Sequence, residues 1–139
     1  MNTNEKGNRG LANVILDVIN KGYFPFLPFT DTTNVDIVIG NNDMKLYRVQ
    51  AKYSKIDKHG VIMVSTSNVV DRKRVPVKLD NIDLWAIYCP DTNEVYYVSK
   101  RELIGIKSGI HLRINKPKQK SPNSHYASEY LDIEKALKK

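Results

Sequence analysis

Two apolar runs joined by a polar turn constrain the fold of this chain more than any other feature. The first, Asn34-Val35-Asp36-Ile37-Val38-Ile39, is bounded by Gly40 and followed by Asn41, Asn42 and Asp43. The chain then returns through Leu46-Tyr47-Arg48-Val49-Gln50-Ala51-Lys52-Tyr53. Both runs have the length and composition of strands, and the polar residues between them carry reversal chemistry, so an antiparallel pair is expected. Under the strand period of two, Leu46, Arg48, Gln50 and Lys52 share one face. An acid on one strand, Asp36, is thereby set beside an amide and an amine on the next.

A carboxylate, an amide oxygen and an ammonium gathered on one sheet can hold a hard divalent cation and a water next to a phosphodiester. Mg²⁺ favours oxygen ligands and keeps several waters, so one or two side chains suffice. Asp36 is the expected anchor, with the Ala51 carbonyl or the Gln50 side-chain oxygen as a neutral ligand. Lys52 is suited to orienting or deprotonating the attacking water and to offsetting charge that builds on the phosphorus centre. The plain alternative is an Asp that caps a turn and a surface Lys on the returning strand.

At 139 residues the chain fits one domain, 1–139, and has enough length to bury a real core. No apolar run approaches bilayer length, and Met1-Asn2-Thr3-Asn4-Glu5-Lys6 lacks the apolar centre of a signal peptide, so no membrane association and a cytoplasmic location are expected. The single cysteine, Cys89, ends an apolar strand and is expected to be a core thiol. Zinc spacings, glycine-rich phosphate loops and internal repeats are absent, and His59, His111 and His125 are dispersed.

The formal charge is +7, and it is unevenly spread. Residues 1–99 carry 12 Lys and Arg against 11 Asp and Glu, whereas residues 100–139 carry 10 against 4. Lys107, His111, Arg113, Lys116, Lys118 and Lys120 concentrate the excess in a segment that begins as the strand Gly109–Ile114 and ends as a loop. On that strand His111 and Arg113 share one face, and Ile110, Leu112 and Ile114 the other. A basic strand face followed by a basic loop can track phosphates or read base edges; a solvated edge strand protected by charge is the rival account. A second basic cluster, Arg72-Lys73-Arg74, is expected to form a ribbon with Ile62–Thr66, of a kind that fits the major groove, unless it is simply a solvated turn. Lys55, just past the returning strand, joins the expected DNA-binding set.

The remaining pattern predicts a first helix from Arg9 to Lys21 ended by Gly22, a strand over Tyr23–Leu27, and strands over Leu84–Cys89 and Glu94–Ser99 joined by the turn Pro90–Asn93. A short helix over Lys100–Gly105 and a closing helix over Ser128–Leu137, capped by Ser128, complete it. Helices at both ends of a run of strands imply an α/β or α+β sheet.

Asp, apolar residues, a turn, then Gln-x-Lys resembles the signature of the PD-(D/E)XK nuclease superfamily. Gly22-Tyr23, Pro28, the run Arg48–Tyr53 and Ile82-Asp83-Leu84-Trp85-Ala86-Ile87-Tyr88 resemble its group I intron-associated homing endonuclease branch, over about Gly7 to Ser99. The resemblance implies a restriction-endonuclease-like mixed central sheet flanked by helices. It implies a Mg²⁺-dependent (or other divalent-dependent) endonuclease making sequence-specific double-strand breaks in double-stranded DNA, with Asp36, Gln50 and Lys52 as site residues. Gln50 stands where the superfamily name has an acid, a substitution this branch uses. Leu11 stands where members carry a helix Glu; an apolar residue there cannot bind a metal, and it starts an apolar helix face with Val14, Ile15, Val18 and Ile19. Either the branch dispenses with the Glu or the chain is an inactivated variant, and Glu5 is a substitute only if the helix begins early. Two cuts by one small sheet call for a homodimer or homotetramer. A junction resolvase, a non-catalytic DNA-binding protein and a basic RNA-binding protein remain the alternatives.

Overall fold

The computed structural model describes residues 1–115 and 125–139, so Lys116, Lys118 and Lys120 lie outside the described residues. In chain order the elements are helix α1 (Thr3–Asn20) and strands β1 (Phe24–Phe26), β2 (Ile37–Gly40), β3 (Leu46–Tyr53), β4 (Val61–Ser65), β5 (Ser67–Val70), β6 (Lys73–Pro76), β7 (Leu84–Cys89) and β8 (Glu94–Ser99). They continue with α2 (Lys100–Leu103), β9 (Gly109–Arg113), β10 (His125–Tyr126), a 3-10 turn over Ala127–Tyr130 and α3 (Ile133–Leu137).

The central sheet has the order β1-β2-β3-β7-β8. It is mixed: β3 and β7 run parallel, and the other neighbours are antiparallel. Strands β7 and β8 are apolar on both faces because both are covered. On one face, Val14 and Val18 of α1 and Ile133 and Ala136 of α3 pack with Val49, Leu84, Ala86 and Tyr97. On the other, Trp85, Ile87 and Val98 pack with Ile62, Val64, Ile110 and Leu112 from a small sheet ordered β10-β9-β4. The parallel β3–β7 register is pinned at its start by Arg48 and Asp83. The Arg48 backbone N–H donates to Asp83 Oδ2 at 2.7 Å, its guanidinium donates to both carboxylate oxygens at 3.1 and 3.2 Å, and the Asp83 N–H returns to the Arg48 carbonyl at 2.8 Å. No helix among the described residues is long and apolar enough to cross a membrane.

Several elements differ from their sequence expectation. Helix α1 begins six residues earlier than Arg9, at Thr3, because Asn2 and Glu5 form a reciprocal capping box: the Glu5 N–H donates to Asn2 Oδ1 at 2.9 Å and the Asn2 N–H to Glu5 Oε2 at 3.2 Å. Ile19 is half exposed and does not join the core face. The ribbon over Arg72–Arg74 pairs β5 with β6, not with Ile62–Thr66; Asp71 and Arg72 both adopt positive φ, the geometry of a two-residue hairpin turn. Strand β4 is thereby released to pair with β9. Strand β9 ends at Arg113, so Ile114 falls outside it and is exposed. The closing helix over Ser128–Leu137 is broken: a 3-10 turn precedes α3, and Asp132, not Ser128, caps α3 by accepting from the N–H groups of Glu134 and Lys135.

Candidate active site

Strand β2 stops pairing with β3 at Ile37, opposite Val49, and the two chains fork there. Asp36 sits at the fork, one residue before β2. Its N–H donates to the Val49 carbonyl at 3.0 Å, and its carboxylate Oδ2 accepts from the Ala51 N–H at 2.8 Å. The two polar groups of a strand residue project to the same edge, so the Ala51 carbonyl also faces the fork. Beyond the last ladder pair, no donor among the described residues reaches it. A carboxylate and an unpaired carbonyl are thus held side by side by backbone geometry.

Helix α1 closes one wall of this cleft. A methyl group on Gly10 would lie 3.3 Å from the Lys52 carbonyl oxygen, so the glycine lets the helix approach the end of β3 closely. That approach delivers Leu11, partly buried, to a cleft that Asp36 and Ala51 also line. The resulting cavity, about 530 Å³, is lined by Thr3, Gly7, Leu11, Phe29, Asp31, Asp36 and Ala51 among others. Leu11 therefore occupies the cleft wall and not the deep core. Glu5 does not line it; its carboxylate is spent on the helix cap.

The other face of β3 carries Gln50 and Lys52, as the period of two requires. Both meet Trp85, which the parallel register places opposite Gln50. The fully buried indole Nε1–H donates to Gln50 Oε1 at 2.9 Å, and the Lys52 ammonium stands 4.9 Å from the indole ring centroid. An indole nitrogen only donates, so the contact fixes which end of the Gln50 amide faces inward. One lone pair of Oε1 is committed to Trp85, leaving the second for any further partner. Trp85 was legible in sequence only as a core residue. Nothing in an apolar run announces that its indole will orient two polar neighbours.

Burial shapes the electrostatics. Desolvation pushes the Asp36 carboxyl above the usual carboxylate range; the Ala51 hydrogen bond and the Lys52 charge oppose the shift, and the Asp31 charge adds to it. Desolvation lowers Lys52 below an ordinary lysine, with Asp36 opposing. The two sense each other without an ion pair: among the described residues the salt bridges are Lys21–Asp17, Arg48–Asp83 and Lys139–Glu102. No group of three His, Cys, Asp or Glu gathers among the described residues. The fork nevertheless fits a hard divalent ion, since its donors are a carboxylate and an unpaired carbonyl, both oxygen, opening on a cavity with room for waters. Asp31 was missed in the sequence because its loop has no periodic signal.

The basic residues fall into separate places. Arg72, Lys73 and Arg74 are exposed on the β5–β6 ribbon, where Arg74 donates to Ser67 Oγ at 3.0 Å. Arg74 and Lys107 line one cavity of about 540 Å³. His111 is exposed and Arg113 partly exposed on the outer face of β9, with Ile110 and Leu112 buried beneath. Strand β9 lies between β10 and β4, so it is not a sheet edge. Lys55 is exposed after β3. The ribbon's exit is tied to the fork: Asn34 Nδ2 donates to the Lys78 carbonyl at 3.1 Å, two residues from Asp36. His125 is engaged with the Tyr130 hydroxyl at 3.0 Å.

Comparison with known proteins agrees with this architecture. A family model described as PD-(D/E)XK endonuclease matches residues 1–133. Among solved structures, a bacterial homing endonuclease, I-Ssp6803I, superposes with a TM-score of 0.73 at 21% identity, covering 94% of this chain and 88% of that one. No curated protein sequence matches the chain.

Proposed function

Because the chain belongs to the PD-(D/E)XK endonuclease family, we propose that it is a divalent-cation-dependent endonuclease that hydrolyses phosphodiesters in double-stranded DNA, acting as an intron-type homing enzyme. The observation that carries this reading is the fork itself, where the Asp36 carboxylate and the Ala51 peptide lie together with Lys52 on the same strand. Asp36 and the Ala51 carbonyl would hold the cation, with the free lone pair of Gln50 as a further neutral oxygen. A bound Mg²⁺ supplies Lewis-acid polarisation of the phosphate and lowers the pKa of water.

The chain's own groups do the rest. Lys52, partly buried beside Trp85, would present to the phosphate a charge worth more than it is in water. Its lowered pKa keeps it closer to giving and taking a proton than a solvated lysine is. Trp85 holds Gln50 and Lys52 in place. The ribbon, the outer face of β9 and Lys55 supply positive charge for the DNA backbone. A double-strand break requires two such forks, so the working form is a homodimer or homotetramer. Leu11 leaves the site short of the acid that α1 is expected to carry, which weakens cation affinity and slows turnover.

Incubation of supercoiled plasmid carrying candidate sites with the protein and Mg²⁺ tests the reading. Nicking or linearisation that requires Mg²⁺ and is lost in Asp36→Asn supports it. Cleavage by Asp36→Asn at near the parent rate would overturn it. Leu11→Glu is expected to accelerate cleavage.

A further inference from the structure

We infer that a second copy of this chain docks on the open half of the central sheet, over β1, β2 and the start of β3. The inference rests on the nuclease reading only for its need of two forks, and it names the surface that joins them.

Under the strand period of two, Leu46 and Arg48 lie on the face of β3 that carries Gln50 and Lys52. The register extends that face outward: Leu46 pairs with Gly40 and Gly40 with Phe24, while Arg48 pairs with Val38 and Val38 with Phe26. The opposite face is covered, since Ile37, Ile39 and Val49 pack with α1. On the Gln50 side, the small sheet β10-β9-β4 packs over Trp85, Ile87 and Val98 of β7 and β8. Among the described residues, neither core includes Phe24, Phe26, Val38 or Leu46. Phe24, Phe26, Met44 and Leu46 are each 45 to 54% exposed, and Leu27 is 62% exposed.

These side chains form one patch. A Cβ on Gly40 would stand 3.1 Å from Leu46 Cδ2, 3.4 Å from Phe26 Cε2 and 3.9 Å from Met44 Cε, so three of them converge over a buried glycine. Met44 reaches the patch from the β2–β3 turn with a φ of 59°, in the left-handed region that disfavours most side chains. Asn41 Oδ1 holds that turn by accepting from the Asp43 and Lys45 N–H groups at 3.0 and 2.9 Å. Such a position ordinarily carries Gly, Asn or Asp; here it lays a methionine on the patch.

The area fits a dimer. At about 200 Å² for a fully exposed large side chain, the five residues present on the order of 500 Å², the size of patch that marks an interaction site. An isologous contact uses the patch twice. About 1,000 Å² of apolar area, at the roughly 65% apolar share of homodimer interfaces, corresponds to a total of roughly 1,500 Å², within the ~1,200–2,000 Å² of stable complexes.

Charge selects the same partner. Among the described residues, the cations beside the patch are engaged: Arg48 donates to Asp83 at 3.1 and 3.2 Å, and the Lys45 ammonium lies 5.5 Å from the Tyr47 ring centroid. Duplex DNA, which is held by cations, therefore fits the ribbon and not this face. Strand β1 is three residues long with Pro25 at its centre, so its outer edge is a poor template for strand addition. The copies meet face to face.

Sedimentation velocity on the full-length, DNA-free protein, from low to high micromolar concentration, is the test, with circular dichroism to verify folding. The parent is expected to sediment as a dimer or tetramer of the 15.9 kDa chain. Phe26→Asp with Leu46→Asp should weaken association about a hundredfold or more, and Phe24→Ala, which adds no charge and serves where the charged pair fails to fold, about tenfold. A parent that stays monomeric, or a folded variant that associates like the parent, overturns the inference. So does retained association with lost DNA affinity, which would assign the face to DNA. Plasmid cleavage separates this inference from the nuclease reading. A monomeric parent that still linearises plasmid with Mg²⁺ overturns the interface alone. Association that the variants lose, in a parent that never cuts, supports the interface and overturns the nuclease reading.

Discussion

The fork at Asp36 and the ribbon at Arg72–Arg74 are both polar, yet they are built in opposite ways. At the fork Asp36, Gln50 and Lys52 are each partly buried and held by a named neighbour: Asp36 by the Ala51 N–H, Gln50 and Lys52 by Trp85. On the ribbon Arg72, Lys73 and Arg74 are all exposed, and among the described residues only Arg74 has a side-chain partner. Desolvation makes the fork groups reactive and costs stability; exposure makes the ribbon groups interchangeable sources of charge. The fork should therefore fail abruptly when one atom changes, and the ribbon by degrees.

The largest expected effect is at Asp36. Asp36→Asn keeps an oxygen for the Ala51 N–H but removes the charge, so cleavage should fall at least about a hundredfold, while DNA affinity changes by no more than about twofold. A variant that lost binding in proportion to cleavage would erase the distinction between fork and ribbon. Lys52→Ala should lower the cleavage rate about a hundredfold or more. Lys52→Arg should not restore it, since a guanidinium is larger and stays protonated. Single-turnover rates on saturating DNA measure this without interference from affinity.

Trp85→Phe should have an intermediate effect, because it preserves most of the buried volume and deletes only the donor to Gln50. Cleavage is expected to drop about tenfold, with a stability loss of about 1 kcal/mol, the usual worth of one buried hydrogen bond. A cleavage loss no greater than the stability loss explains would show Trp85 to be packing alone. On the ribbon, Arg72→Ala with Lys73→Ala should weaken binding and make log affinity less steep in log salt, by about 0.9 for each phosphate left without its cationic side chain. Turnover on saturating DNA should be unchanged. An unaltered salt slope would remove the ribbon from the DNA interface.

The smallest effect concerns stability in the absence of metal. The Asp36 carboxyl is raised in the fold, so the native state binds its proton more tightly than the unfolded chain does. Stability from this group is full below the unfolded carboxyl value and is lost as pH rises through the raised native one. At neutral pH the ionised Asp36 is therefore a cost, screened because the group is partly exposed. Asp36→Asn should raise the metal-free Tm by roughly a few degrees at most and abolish the further rise produced by Mg²⁺. Removal of ribbon charges should leave both quantities alone. Thermal melts with chelator and with Mg²⁺, at about pH 4 and about pH 7, distinguish the two behaviours.

The sequence alone carried the central strands, the shared face of Gln50 and Lys52, the alternation of β9 and the family, because strand periodicity and turn chemistry are local. Leu11 was also legible as an apolar residue of the first helix, and the structure sets it in the lining of the cleft. Nonlocal pairing was not. Whether Ile62–Thr66 joins the Arg72 cluster or β9 depends on the turn at Asp71-Arg72 and on which partner buries Ile62 and Val64, a choice made by the whole core. The start of α1 turned on a reciprocal pair of cap hydrogen bonds at its first residues, and the break before α3 on which of two capping residues found its N–H groups. Tertiary structure alone brought Trp85 under Gln50, 35 residues apart, and turned the Asp31 loop into the wall of the same cleft as Asp36. A sequence states which residues can ionise or donate; only packing decides which of them lose water together, and at this fork that loss sets the chemistry.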